Sequence, residues 1–246
     1  CLQKMLRFED GQADSLRVFA ADPGAAPDRL AHRWYPFLQT GDLLCYDQGE
    51  SLEYLKRRID GLLEVADGIA LDGFGYKNHY ACFCDHCVKR YGKEDPELVA
   101  AGALKTLVES SKAICDYTKE RAPGAIVMNH VWPPFEPDPY YGSQLHLDYC
   151  TQTISWFYRP HWSLEHVKFE AAEHRRMQIP GRNQFVPFIG YFNEQYHRRG
   201  PDRVAAELDI ALEYGDGNIV FSTLQGPMED NGIRRAVQDR LAGDRS

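Results

Sequence analysis

Gly68-Ile69-Ala70-Leu71-Asp72-Gly73-Phe74-Gly75-Tyr76-Lys77-Asn78-His79-Tyr80-Ala81-Cys82-Phe83-Cys84-Asp85-His86-Cys87 is the stretch that decides how this chain is read. Residues 68–72 form a short apolar run closed by an acid, the pattern of a buried parallel strand. In α/β barrels, working acids sit at the C-terminal ends of such strands. Cys82, Cys84 and Cys87 follow with C-x-C-x-x-C spacing, which is most of a metal site. The two halves together predict a loop stapled beside an Asp that faces a pocket.

Outward from that stretch, apolar runs alternate with amphipathic segments. Strands are predicted at 42–46, 68–72, 125–130, 149–158, 185–191 and 218–223, with a further one at 16–20 followed by a helix near 28–38. Leu52, Leu55, Ile59, Leu62 and Leu63 keep one helical face apolar, as do Leu104, Leu107, Val108, Ser111 and Cys115. Asp95-Pro96 reads as an N-cap and first helical residue, and Gly200-Pro201 repeats the signal. Gly215 stands at the expected C′ stop of the second of these helices, and further helices are predicted at 163–178 and 229–241. Alternation of this kind implies parallel strands joined by right-handed crossovers. No Gly-rich phosphate turn follows an early strand, as a doubly wound sheet would show. Polar and aromatic residues instead recur just past the strands, and a barrel gathers all such ends on one face. The expected fold is α/β, a (β/α)8 TIM barrel. Seven strands are visible, so about one N-terminal βα unit is missing from a single domain over 1–246.

A chain of 246 residues buries a large core and needs no staple to fold as a whole. Its net charge of -8 argues against nucleic acid or an anionic membrane as partner. No apolar stretch reaches the length of a membrane span. The chain opens at Cys1 rather than Met, which points to a removed or missing N-terminal portion. Seven cysteines is an odd count in a chain too large for a disulfide scaffold, so reduced thiols and a cytoplasmic setting are expected.

Tetrahedral zinc takes four ligands, the fourth usually from another segment. Cys45 ends the preceding predicted strand, and neighbouring parallel strands bring their ends together, so Cys45, Cys82, Cys84 and Cys87 are the predicted set. His79 and His86 are local alternatives, and a disulfide from Cys82 to Cys87 or Cys45 is the competing reading. Four thiolates leave no open position, which makes the zinc structural. Fewer than four protein ligands would instead suggest a zinc-dependent hydrolase. Cys115 and Cys150 read as small buried apolar residues.

This order resembles the barrel of glycoside hydrolase family 42, the β-galactosidases, and related uncharacterised proteins. There a cysteine after the third strand joins a Cys-x-Cys-x-x-Cys-type loop after the fourth to bind zinc. Here Leu44-Cys45-Tyr46, the helix from Ser51, Gly68–Asp72 and Cys82–Cys87 follow in the same order, and Glu213-Tyr214-Gly215-Asp216-Gly217 resembles the family's run into its last strand. The resemblance covers about residues 41 to 225 by order and is specific around the cysteines. It implies a carbohydrate substrate hydrolysed by two carboxyl groups. The family's proteins are often trimers, so the resemblance also raises a homo-oligomer. The departure lies at the fourth strand. The family has Asn-Glu there, with Glu as the acid/base, whereas this chain has Asp72-Gly73-Phe74.

Glycoside hydrolysis needs one ionised and one protonated carboxyl group. Asp72 is the first candidate, and its alternative is an Asp capping its own loop. Glu194, beyond the strand at 185–191, is the second, where the resemblance implies the nucleophile; its alternative is a solvated loop residue. Asp148 falls at the N-terminal end of its strand, the wrong end for chemistry. Glu136 and Asp138 are lid candidates. Tyr76, Trp132, Trp156, Tyr158, Trp162, Tyr191 and Tyr196 lie at strand ends, where flat rings suit sugar faces. From these, Tyr76, Trp156, Tyr158 and Tyr191, together with Asn129 and His130 as hydroxyl binders, form the expected substrate site. Trp156 and Tyr158 share a face by period, but period does not give its direction. A barrel that binds carbohydrate without catalysis is the rival reading, favoured by Phe74.

Overall fold

The computed structural model describes residues 44–72, 74–75, 81–82, 84–92, 94–131, 140–155, 162–191, 199–223 and 230–242. The elements predicted at 16–20 and 28–38, and residues 42–43 of that at 42–46, lie outside these residues, while Leu44–Tyr46 form an isolated bridge and a turn. The elements run α1 (Gly49–Leu63), β1 (Gly68–Asp72), α2 (Asp85–Tyr91), α3 (Pro96–Arg121), β2 (Ile126–Val131), a 3₁₀ turn (Tyr141–Gln144), β3 (Tyr149–Ser155), α4 (Leu164–Arg176), β4 (Gln184–Tyr191), α5 (Pro201–Tyr214), β5 (Val220–Thr223) and α6 (Asn231–Ala242).

The strands lie side by side in chain order, β1-β2-β3-β4-β5, and all pairs are parallel. Chain order matters because every crossover then steps in the same direction. Right-handed crossovers place all the connecting helices on one face. The result is a curled parallel half-barrel rather than a doubly wound sheet. Its outer, helix-covered face holds two apolar clusters. Ile59, Ile69, Leu107, Ile114, Val127 and Val131 belong to the first, and Ile154, Val167, Phe185, Ile189, Leu208 and Ile233 to the second. Register assigns the inner face: Asp72 pairs with His130, His130 with Thr151, and Thr153 with Phe188.

Local chemistry explains the boundaries. The Asp95 carboxylate accepts the amide N–H groups of Glu97 and Leu98, and Pro96 follows with no amide to orphan. The Ser163 hydroxyl caps α4 by accepting from the His166 amide. Gly215 ends α5, but for a different reason from the one expected. Its φ is -95°, and the left-handed residues are Asp216 and Gly217, at 50° and 79°. A Cβ on Gly215 would sit 2.2 Å from the Asn218 carbonyl oxygen and 2.5 Å from Pro187 Cδ, so close packing fixes this glycine. The buried stripe of α3 runs through Val99, Ala103, Leu107, Ser111, Ile114 and Thr118. It is rotated from the predicted face, and Ile114 rather than Cys115 points inward.

A buried ionic clamp fixes the C-terminal ends of β3 and β4. Arg199 Nη1 donates to Ser155 Oγ at 2.6 Å and to Glu207 Oε2 at 2.5 Å, while Nη2 donates to the Gly190 carbonyl. Glu207 Oε1 accepts from Arg203 Nε at 2.7 Å. Glu207 is fully buried and Arg199 nearly so. A register shift between Thr153 and Ser155 turns Ser155 outward to meet this arginine.

Candidate functional site

Two groups stand at the C-terminal edge of the half-barrel, one of sulfur and one of polar side chains. Cys45, Cys82, Cys84 and Cys87 are all buried, and their Sγ atoms lie within 4.8 Å of one another. Cys45 is 3.7 Å from Cys84 and 3.4 Å from Cys87, and Cys84 is 3.6 Å from Cys87. A disulfide would need about 2.05 Å between sulfurs, and all four are free thiols. A tetrahedron with metal–sulfur bonds of about 2.3 Å has edges of about 3.8 Å, close to the separations seen here. Left to themselves, Cys45 and Cys87 resist ionisation. Cys45 is pushed up to about 12, first by its hydrogen bond with Cys82, and Cys87 is pushed up, first by its bond with Cys45. A divalent cation among them is the partner that would let them ionise. Geometry and donor chemistry therefore both fit a tetrahedral metal.

The cluster is assembled from two distant segments by one carboxylate. Asp47, two residues after Cys45, has a side chain only 3% exposed. Its Oδ1 accepts from Arg90 Nη1 at 2.5 Å, Tyr91 Oη at 3.0 Å and Thr106 Oγ1 at 3.1 Å, and its Oδ2 lies 2.8 Å from His86 Nε2. His86, Arg90 and Tyr91 all lie on α2, whose first turn carries Cys87. Asp47 thus locks the Cys45 segment to the helix holding the other thiols, and it engages His86 away from the sulfurs. Gln48 Nε2 adds a donor 3.5 Å from Cys84 Sγ. Partners of this kind orient ligands, so Asp47→Ala is expected to weaken metal affinity roughly 10–100-fold in competition with a chelator. Unchanged retention would show that the thiols organise themselves.

Asp72 closes β1 on the inner face, its side chain 75% exposed. His130 Nδ1 lies 3.3 Å from Asp72 Oδ1, and His130 Nε2 lies 3.0 Å from Thr153 Oγ1. The imidazole stacks on Phe188, with centroids 3.9 Å apart. Among the residues of the five strands, Asp72 is the one carboxylate. Thr153 and Phe188 were not singled out from sequence; the available signal was their place on the same strand face as His130.

Asn129 takes the opposite face. It is fully buried toward the helices, and neither of its amide atoms has a hydrogen-bond partner among the described residues. Phe74 is 3% exposed, its ring 4.6 Å from that of Tyr46, and its carbonyl accepts from Tyr141 Oη at 2.9 Å. Burial pushes the Tyr46 phenol up to about 12. The position next to Asp72-Gly73 therefore serves the core between β1 and the cysteine loop. Asp148 lies below the N-terminal end of β3, where it accepts from Lys119 Nζ at 2.6 Å and the Val127 amide at 2.7 Å. Glu194, Tyr76, Trp156, Tyr158, Trp132, Tyr196, Glu136, Asp138 and His79 lie outside the described residues, as does the side chain of Tyr191. No helix among the described residues is long and apolar enough to cross a membrane.

No model of a known protein family matches the sequence, and no curated protein matches it. Solved structures do. The α-L-fucosidase isoenzyme 2 of Paenibacillus thiaminolyticus aligns over 81% of this chain with a TM-score of 0.53 and 17% identity. Bee venom hyaluronidase aligns over 85% at a TM-score of 0.37 and 12% identity, and covers 65% of that chain. A glucosidase from Croceicoccus marinus aligns over 55% at a TM-score of 0.36 and 16% identity, and covers 32% of that chain. This chain spans 30% of the fucosidase chain, and what it shares with that segment is a fold in which parallel strands and helices alternate.

Proposed function

We propose that this chain forms much of a (β/α)8 barrel that hydrolyses a carbohydrate, with zinc held structurally by Cys45, Cys82, Cys84 and Cys87. The observation that carries the reading is the pairing of Asp72 and His130 at the C-terminal ends of adjacent parallel strands, on the face opposite the helices. That is where barrel enzymes assemble their sites. The fold shared with a fucosidase supports the same reading. So does the order of the cysteines, which resembles that of the family 42 β-galactosidases. Four sulfur ligands leave zinc no open position, so its contribution is to hold the loop beside Asp72 in place.

Asp72 is one working carboxyl group. Glu194, beyond β4, is the proposed second, and Tyr76, Trp156, Tyr158 and Tyr191 are proposed to stack on or bond the sugar. His130 belongs to this site; Asn129, buried on the helix side, does not enter it. One observation favours a second reading, a barrel that binds sugar without cleaving it: Phe74 packs into the core near the place where the family 42 enzymes that this chain resembles carry their acid. A panel of p-nitrophenyl glycosides, including α-L-fucoside and β-galactoside, separates the two when paired with calorimetry of the free sugars. Turnover of at least one glycoside is expected. Sugar binding without turnover would establish the binding barrel, and neither binding nor turnover would end the carbohydrate reading.

A further inference from the structure

Asp72, His130 and Thr153 come from three successive strands and meet in one line across the inner face. Asp72 Oδ1 is 3.3 Å from His130 Nδ1, and His130 Nε2 is 3.0 Å from Thr153 Oγ1. Thr153 Oγ1 has a second neighbour, the Val131 carbonyl oxygen, at 3.2 Å. Phe188 stacks on the imidazole at 23° between planes and fixes the plane of the ring.

Counting protons shows what this line can hold. A threonine hydroxyl donates one proton and accepts others, while a carbonyl or a carboxylate only accepts. With the hydroxyl turned to Val131, its oxygen faces Nε2 as an acceptor, so Nε2 must carry a proton. Were Nδ1 then bare, a lone pair would face the Asp72 carboxylate. The arrangement is satisfied when the ring is charged, with N–H at both nitrogens. With the hydroxyl turned to Nε2, the same ring is neutral and its one proton sits on Nδ1. Both arrangements aim Nδ1–H at Asp72.

We propose that the Thr153 hydroxyl is a two-position rotor that keeps Nδ1–H of His130 on Asp72 whether the imidazole is neutral or charged, making His130 the positioning residue for an ionised Asp72. An N–H aimed at a carboxyl group favours its charged form. The inference rests on reading this mouth as a carbohydrate site, and it divides the labour there. Hydrolysis requires one ionised and one protonated carboxyl group. Asp72 takes the ionised part, and the proton donor is a different group.

The order Asp–His–Thr is also that of a nucleophile triad. Thr153 is 1% exposed and its hydroxyl faces His130 Nε2 and the Val131 carbonyl, so no substrate atom reaches its oxygen. Its role lies beneath the histidine. Among the described inner-face positions of the five strands, the other titratable side chain is Tyr149, at the opposite end of β3. The charge paired with the ring there is that of Asp72.

Nitrogen-15 NMR of labelled histidine tests this without reference to any substrate. With the ring neutral, wild-type His130 is expected as the Nδ1–H tautomer. Asp72→Ala, at an exposed position, removes the acceptor and should lower the Nδ1–H to Nε2–H ratio roughly tenfold. Thr153→Val removes the rotor and should shift the ratio in the same direction. On p-nitrophenyl glycosides, Thr153→Val should lower kcat while leaving KM unchanged. A wild-type ring protonated at Nε2, or a ratio indifferent to Asp72→Ala, overturns the inference. The expected tautomer in a protein that turns over no glycoside upholds the hydrogen-bonded chain and overturns the function proposed for it.

Discussion

Cys84→Ala is expected to abolish the zinc binding proposed for the cysteine cluster and to lower the melting temperature by roughly 10–15 °C. Four buried sulfurs within 4.8 Å of one another have no other good arrangement. As thiols they are poor hydrogen-bonding groups, and as thiolates they repel one another. A tetrahedral cation resolves both problems, and its binding free energy counts toward folding because the unfolded chain holds no such site. Most of the helix-covered core lies away from the cluster, so the loss is partial, on the order of 4 kcal/mol. For a domain of this size each kcal/mol shifts the melting temperature by about 2–4 °C. Elemental analysis should find one zinc per chain in the wild type and none in the variant, with calorimetry giving the shift. Cys115→Ala is the control: its thiol is half-buried on α3, outside the cluster, and burial pushes it up. Full metal content and an unchanged transition in Cys84→Ala would show that the cluster is mere packing.

The strands were legible because their punctuation is chemical. Gly68 and Asp72 bound β1 at the predicted residues, and Asp95-Pro96 and Ser163 start α3 and α4 as expected. The fourth cysteine was expected from adjacent parallel strands delivering their ends to one place; Cys45 does join the other three, from a segment that forms a bridge and a turn among the described residues. Pairings over long separations were not legible. Asp47 meeting Arg90 and Thr106, or Arg199 meeting Ser155, leave no periodic trace in the sequence. Face direction was equally hidden. Period two shows that Asn129 and His130 point opposite ways but not which way each points. The register with Asp72 decides it, and a buried amide with no hydrogen-bond partner among the described residues is the unexpected result. The short helix α2 was missed because its seven residues are too few to display a stripe.

Asp72→Asn is expected to leave the fold intact and to lower kcat/KM at least about 10³-fold on whichever glycoside the wild type cleaves. The substitution keeps shape and size at a side chain that is three-quarters exposed, so the melting temperature should move by no more than about 1 °C. What is removed is a charge. An amide cannot add to a developing oxocarbenium centre or take a proton from water, and a thousandfold loss corresponds to about 4 kcal/mol of transition-state stabilisation. The His130 contact makes the test sharper. An asparagine can turn its carbonyl to Nδ1–H and preserve the hydrogen bond, so a structural role for Asp72 predicts near-normal turnover. A role as ionised carboxylate predicts collapse, with partial recovery when azide or formate is supplied as an external nucleophile. KM should change little, because the loss falls on the transition state rather than on sugar binding. Wild-type turnover by Asp72→Asn would remove Asp72 from the chemistry and leave the hydrolysis to other carboxyl groups.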